Sequence, residues 1–155
     1  MDHSFEQASD LPLPVETVFA FFADAENLQR ITPPELHFRI LTPLPLTIGE
    51  GTLIDYQLRL FGVPFRWRTL ISAWNPPNDF TDEQIRGPYA RWVHRHVFRQ
   101  TPSGTLLSDR VSFRLPFSPL GDVAYPFVRL QISRIFEFRR RAVERLLLGD
   151  PQAGP

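Results

Sequence analysis

From residue 52 to residue 115 the sequence alternates apolar and polar side chains almost without interruption, and that period of two constrains the fold more than any other feature. Residues 52–61 set Ile54, Tyr56, Leu58 and Leu60 against Asp55, Gln57 and Arg59. Residues 63–74 set Phe65, Trp67, Thr69 and Ile71 against Arg66 and Arg68. Residues 79–86, 90–100 and 105–115 continue in the same way, parted by turn-forming stretches at Gly62, NPPN, Gly87-Pro88 and TPSG. Alternation places one face of each strand in a core and the other in water. Gly-, Pro- and Asn-rich breaks of this length join neighbouring antiparallel strands. Gly87-Pro88 reads as a bulge or kink, because Pro lacks the amide that a ladder needs.

The flanks are helical. Residues 4–9 suit a short first strand. Pro14 suits the first position of a helix that runs to about Ala23 and carries Val15, Val18, Phe19, Phe21 and Phe22. Asp24 can cap a second short helix over 25–31, stopped by Pro33-Pro34. Residues 36–41 return to strand. From about Val123 the period is helical again, with Val128, Ile132, Ile135, Phe136, Val143 and Leu146 in one stripe that ends at Gly149. The expected class is α+β: about six to seven antiparallel strands in a curved sheet, two short helices after the first strand, and a long C-terminal helix covering the apolar face. Residues 1–148 form one domain in this reading, and 149–155 a flexible tail.

Composition removes several chemistries. The 155 residues include no Cys and no Lys, so thiolate catalysis, disulfides and Schiff-base chemistry are excluded. The 17 basic residues, all Arg, balance 17 acidic ones, and nothing calls for a nucleic-acid partner. No apolar run reaches the roughly 20 residues that span a bilayer. The first ten residues lack the basic-then-apolar pattern of a signal peptide, so a cytoplasmic protein is expected. There is no Gly-x-Ser-x-Gly elbow and no Gly-rich phosphate loop.

The chemistry-bearing stretch is GPYARWVHRHVF, residues 87–98. On a strand, Trp92, His94, His96 and Phe98 share one face, and Arg91, Arg95 and Arg99 the other. On the next strand Leu107, Asp109, Val111, Phe113 and Leu115 share a face. The arginines belong in water, so the His and Asp face looks inward. If TPSG is a four-residue turn, His96 lies directly opposite Asp109. A register two residues different brings His94 or Phe98 there instead.

Three roles fit this group. It can be a buried polar pair that satisfies itself. It can line a cavity and move protons, imidazole as acid or base and Asp109 as its orienter. It can supply two His and a carboxylate to a metal. The Glu that follows His-x-His in cupins is absent here, so no metal and no cofactor are expected. Arg139, four residues from both Ile135 and Val143, lies in the apolar stripe. It either snorkels to the surface or brings a cation to Asp109 or to a ligand.

In order along the chain, several features match one superfamily. They are Pro14, Val18, Phe19, Phe21 and Phe22; Asn27-Leu28 and Thr32-Pro33; Gly51-x-x-Ile54-x-Tyr56; Trp67; Phe80-x-Asp82-x-Gln84; the stretch from Gly87 to Phe98; Asp109-x-Val111; and Ile135-Phe136-x-Phe138-Arg139. The chain resembles the START-like, or SRPBCC, superfamily with its helix-grip fold, and within it the small bacterial ligand-binding or polyketide cyclase/dehydrase-like branch. The resemblance implies a hydrophobic cavity gripped between sheet and C-terminal helix, holding a lipid-, aromatic- or polyketide-like small molecule. Tyr56, Trp67, Gln84, Tyr89, Trp92, Phe98, Val111, Phe113, Ile132, Phe136 and Arg139 are then the candidate ligand contacts. His94, His96 and Asp109 are the candidate catalytic groups, should the protein be an aromatase/cyclase or dehydratase. Binding alone, and a protein-interaction module with a filled core, remain the other readings. Asp82 precedes the expected kink, so its facing is open.

Overall fold

The computed structural model describes residues 1–149. Apart from Gly149, the expected tail lies outside the described residues. Seven strands form one antiparallel sheet: β1 (Asp2–Leu11), β2 (Arg39–Ile40), β3 (Leu53–Leu60), β4 (Val63–Asn75), β5 (Asp79–Arg86), β6 (Arg91–Thr101) and β7 (Gly104–Arg114). Their spatial order is β1-β7-β6-β5-β4-β3-β2. Helices α1 (Val15–Phe22) and α2 (Ala25–Arg30) follow β1, and α3 (Tyr125–Leu148) closes the chain. This is the helix-grip arrangement, with the curved sheet wrapped around the long last helix.

Each hairpin follows from its turn residues. Phe61 and Gly62, at φ 53° and 77°, join Leu60 to Val63. Two consecutive positive φ values give a turn whose twist matches the strands, and Gly accepts the second without strain. The TPSG turn pairs Thr101 with Gly104 and Gln100 with Thr105, and this register sets His96 opposite Asp109. A side chain at Gly104 would collide with the backbone of Leu11 and Pro12, so the turn and the end of β1 can meet only through a glycine.

Two elements differ from expectation. The strand foreseen over 36–41 shrinks to Arg39–Ile40. Pro34 starts a 3₁₀ turn that buries Leu36, and His37 follows at φ 47°, so only two residues are left extended beside β3. The last helix starts at Tyr125 rather than Val123, because residues 120–124 form a 3₁₀ turn ahead of it. Pro126 sits in the first turn of α3, where its missing amide has no helical partner to lose. β1 is longer than expected and pairs with β7 along its whole length.

The buried stripe of α3 is Ile132, Phe136, Ala142 and Val143. Its first half packs on Val111 and Phe113 of β7 and on Leu115 just beyond it. Its second half joins Val18 and Phe19 of α1 over Phe80, Phe98 and Leu107. A third cluster joins Leu36 to Leu58, Leu60 and Trp67 on β3 and β4. Helix and sheet therefore touch closely at β7 and separate toward β3–β5, and the separation creates the site.

Candidate functional site

A cavity of about 160 Å³ lies in that separation. Its wall is Ile54, Tyr56, Leu58 and Leu60 of β3, Trp67, Thr69 and Ile71 of β4, Phe80 and Asp82 of β5, and Trp92, His94 and His96 of β6. Phe21, Phe22, Asn27 and Leu28 close one side, and Ile132, Ile135, Phe136 and Arg139 of α3 the roof. Most of this surface is apolar or aromatic. Trp67 is the centre of the aromatic part, with Tyr56, Tyr89 and Trp92 at ring distances of 5.8, 5.7 and 5.4 Å.

The polar pole spans three adjacent strands. The register sets His94 opposite Asp82 on one side and His96 opposite Asp109 on the other. The short hydrogen bonds nevertheless run diagonally. His94 Nε2 donates to Asp109 Oδ1 at 2.8 Å, and His96 Nε2 donates to Asp82 Oδ2 at 2.7 Å. The remaining ring nitrogens face the other carboxylate, His96 Nδ1 at 3.3 Å from Asp109 Oδ1 and His94 Nδ1 at 3.8 Å from Asp82 Oδ2. The two imidazoles lie close together, centroids 3.7 Å apart and planes tilted by 31°. Phe80 stacks on His96 at 4.0 Å, and Phe136 meets His94 edge-on at 5.3 Å.

Burial and pairing act against each other in this group. For His94, burial and the neighbouring His96 charge push the pKa down, and the bond to Asp109 does not restore it. For His96, burial also acts downward, but Asp109 and Asp82 together lift it above the ordinary histidine value. Burial would raise both carboxylates, yet Asp82 ends lowered by its bond to His96 and by the charges around it, Arg139 included. Asp109 is held far below the usual range by its bonds to His94 and His96. The surroundings thus favour the charged form of His96 and of both carboxylates and the neutral form of His94.

Arg139 touches both sides of the group. It lines the main cavity and also a recess of about 10 Å³ that holds Asp109. Its guanidinium lies 5.1 Å from the Phe136 ring. Its Nε, the Trp67 Nε1 and the His96 Nδ1 are buried without a hydrogen-bond partner among the described residues. Among the described residues Tyr56 OH reaches only Thr69 Oγ1, at 3.3 Å, and burial pushes its pKa well up, so it stays a neutral hydroxyl.

Of the candidates read from the sequence, Tyr56, Trp67, Tyr89, Trp92, His94, His96, Ile132, Phe136 and Arg139 line the cavity. Four do not. Phe98 packs on Phe19 and Phe22, at 5.1 and 5.6 Å, because its end of β6 runs under α1. Val111 and Phe113 are fully buried, because the first half of α3, through Ile132 and Phe136, packs directly on them. Gln84 spends its amide on the backbone of Tyr89, donating from Nε2 to the carbonyl at 2.8 Å and accepting the Tyr89 amide at 3.1 Å. The expected kink at Gly87-Pro88 is therefore the β5–β6 connection, pinned by Gln84. A side chain at Gly87 would strike the Gln84 amide and push it off the Tyr89 backbone. Gln84→Ala is expected to cost about 1–2 kcal/mol for the two bonds and to speed hydrogen exchange at the Tyr89 amide; unchanged exchange there would show that the loop is held by other contacts.

Asp82 is the polar residue of the cavity wall whose facing the sequence left open. Its signal was Phe80, two residues earlier on the same face of β5 and 6 % exposed. Phe21, Phe22, Thr69 and Ile135 were read only as core or strand positions, yet all four line the cavity.

No curated protein matches this sequence. Among solved structures, the chain is similar to the ZhuI aromatase/cyclase from Streptomyces sp. R1128, with TM-score 0.75, 16 % identity and full coverage of both chains. It is also similar to a protein from Thermus thermophilus, with TM-score 0.73, 19 % identity, and 96 % of this chain and 97 % of that one covered. A START superfamily protein from Mycobacterium smegmatis gives TM-score 0.69 at 14 % identity, covering 93 % of this chain and 99 % of that one. At such identities these likenesses speak for the fold. Residues 11–138 match the family described as "Polyketide cyclase / dehydrase and lipid transport". A match over that much of the chain, on this fold, makes the protein a member of that family within the START-like superfamily.

Proposed function

We propose that the protein binds a compact, largely hydrophobic molecule carrying at least one oxygen, with its apolar body among Trp67, Tyr56 and Trp92 and its oxygen toward Trp67 Nε1, Arg139 and the histidines. The observation that carries this reading is an aromatic-walled cavity with unpartnered buried donors and the imidazole pair in its lining. A few convergent polar groups in an apolar cavity are the usual anatomy of a small-molecule site. A cavity of about 160 Å³ is near the size that accepts one aromatic ring, so an aromatic or polyketide-like ring is favoured over a long acyl chain. The protein purified from its host and sprayed under native conditions is expected to carry such a molecule, and the emptied protein to bind 2-naphthol. An empty native protein that also ignores 2-naphthol would favour the protein-interaction reading.

A second reading, a cyclase or dehydratase, draws on the carboxylate-backed imidazoles in the cavity wall. There an imidazole would take a proton alpha to a ligand carbonyl while Arg139 or Tyr56 steadied the enolate. If His96→Ala keeps ligand affinity and abolishes turnover of that ligand, this reading stands above simple binding.

A further inference from the structure

The geometry points to a divalent-metal site formed by Asp82, His94 and His96, open to the cavity and braced from behind by Asp109. The three residues each present one donor atom, and those atoms lie within 4.8 Å of one another. His94 turns Nδ1 and His96 turns Nε2 toward Asp82 Oδ2, at 3.8 and 2.7 Å. Metal–nitrogen and metal–oxygen bonds of about 2.0–2.2 Å put neighbouring donors around one ion roughly 3–3.5 Å apart. The two separations bracket that spacing, so small side-chain movements suffice.

The backing is the second observation. The far ring nitrogens, His94 Nε2 and His96 Nδ1, lie 2.8 and 3.3 Å from the same oxygen of Asp109. A metal-bound imidazole commonly donates its other N–H to a carboxylate, which fixes the ring and leaves the near nitrogen as a lone pair. Here one buried carboxylate can serve both rings. With both rings so oriented, a nitrogen lone pair from each imidazole and an Asp82 oxygen are left free within 4.8 Å of one another. A proton there joins His96 to Asp82 but leaves His94 Nδ1 unanswered at 3.8 Å and His96 Nδ1 without a hydrogen-bond partner. A metal ion would answer all three donors and seat the His96 proton on Nδ1, facing Asp109.

Two imidazoles and a carboxylate suit Fe²⁺, Co²⁺ or Zn²⁺ rather than Mg²⁺ or Ca²⁺. Asp82, His94 and His96 all line the cavity, whereas Asp109 does not, so the open coordination positions face the ligand space. With both rings neutral, the two carboxylates, Arg139 and a divalent ion together leave one positive charge. The ligand that completes the site is then anionic at oxygen: an enolate, phenolate or carboxylate. The sequence concealed this arrangement because the third ligand comes from the adjacent strand rather than from the residues after His96.

The test uses metal alone, so its outcome does not depend on the ligand reading. The chelator-stripped full chain is titrated with Co²⁺ and with Zn²⁺, followed by calorimetry and by cobalt visible absorption. One ion per chain is expected, with the cobalt bands abolished in Asp82→Ala and in His96→Ala. Asp109→Asn is expected to weaken binding about 10–100-fold while keeping the bands. His3→Ala, at the separate His3–Asp122 pair, should change nothing. In the wild type, paramagnetic shifts from Co²⁺ should appear at the His94 and His96 ring protons, a readout that needs no variant to fold. Absence of stoichiometric binding of either ion, shifts at other histidines only, or binding untouched in a folded Asp82→Ala chain would each overturn the site.

Discussion

Replacing Asp109 with alanine lowers the stability of the metal-free chain by about 3–5 kcal/mol, the loss expected when one member of a buried charge pair is removed. Asp109 is 8 % exposed and touches both imidazoles, so bulk solvent has little access to take its place. Without it, the His96 cation keeps only Asp82, and the His94 Nε2–H donor is left buried without an acceptor. The pair need not add net stability over an apolar core; the loss comes from stranding its partners. Urea unfolding with an unchanged m-value measures the loss. A loss under about 1 kcal/mol, as for a solvated ion pair, would mean that the site is wet and the tetrad loosely held. His96→Ala in the Asp109→Ala background adds a sharper check. Once the stranded cation is gone, the double variant should be less destabilised than the sum of the two single ones, because neighbours in one network are not additive.

The sheet was legible because its signal is local. Ile54, Tyr56 and Leu58 alternate with Asp55 and Gln57, and four-residue turns leave little choice of register. Of the registers left open between β6 and β7, the one given by a four-residue TPSG turn, with His96 opposite Asp109, is the one found. What was not legible is which opposed residues bond. Opposition is a property of the backbone, but the 2.8 and 2.7 Å bonds run diagonally, along the χ angles of His94 and His96. The cavity boundary was hidden for a similar reason. Val111 and Phe113 carry the same inward alternation as Trp92 and His94, yet α3 presses on β7 and stands off from β3 and β4. Periodicity reports which face is inward; the spacing between layers decides whether that face is packed or hollow. Gln84 shows a third limit: a side chain that points the right way can be consumed by the loop that follows its strand.

Hollow and filled interiors can be told apart at Ile135, which lines the cavity from α3 and packs toward Leu36, Leu58, Leu60 and Trp67. Ile135→Trp adds an indole to the roof. In a filled core the extra ring would force its neighbours aside and lower folding stability by about 1–3 kcal/mol. In a cavity of about 160 Å³ the ring has room, so stability is expected to stay within about 1 kcal/mol of the original. The same strain then falls on the complex, because ligand and indole compete for one space. A penalty of about 1–3 kcal/mol corresponds to roughly 5- to 150-fold weaker 2-naphthol binding. Metal binding at Asp82, His94 and His96 should survive, since the indole enters from α3 and the three ligands sit on β5 and β6. The interior is therefore read by where the penalty lands. Loss of stability with unchanged binding would give a packed core and place function on the outer surface. Loss of binding with unchanged stability would give a ligand cavity, and cobalt bands retained in the same variant would show that its polar wall holds a metal whether or not the cavity is full.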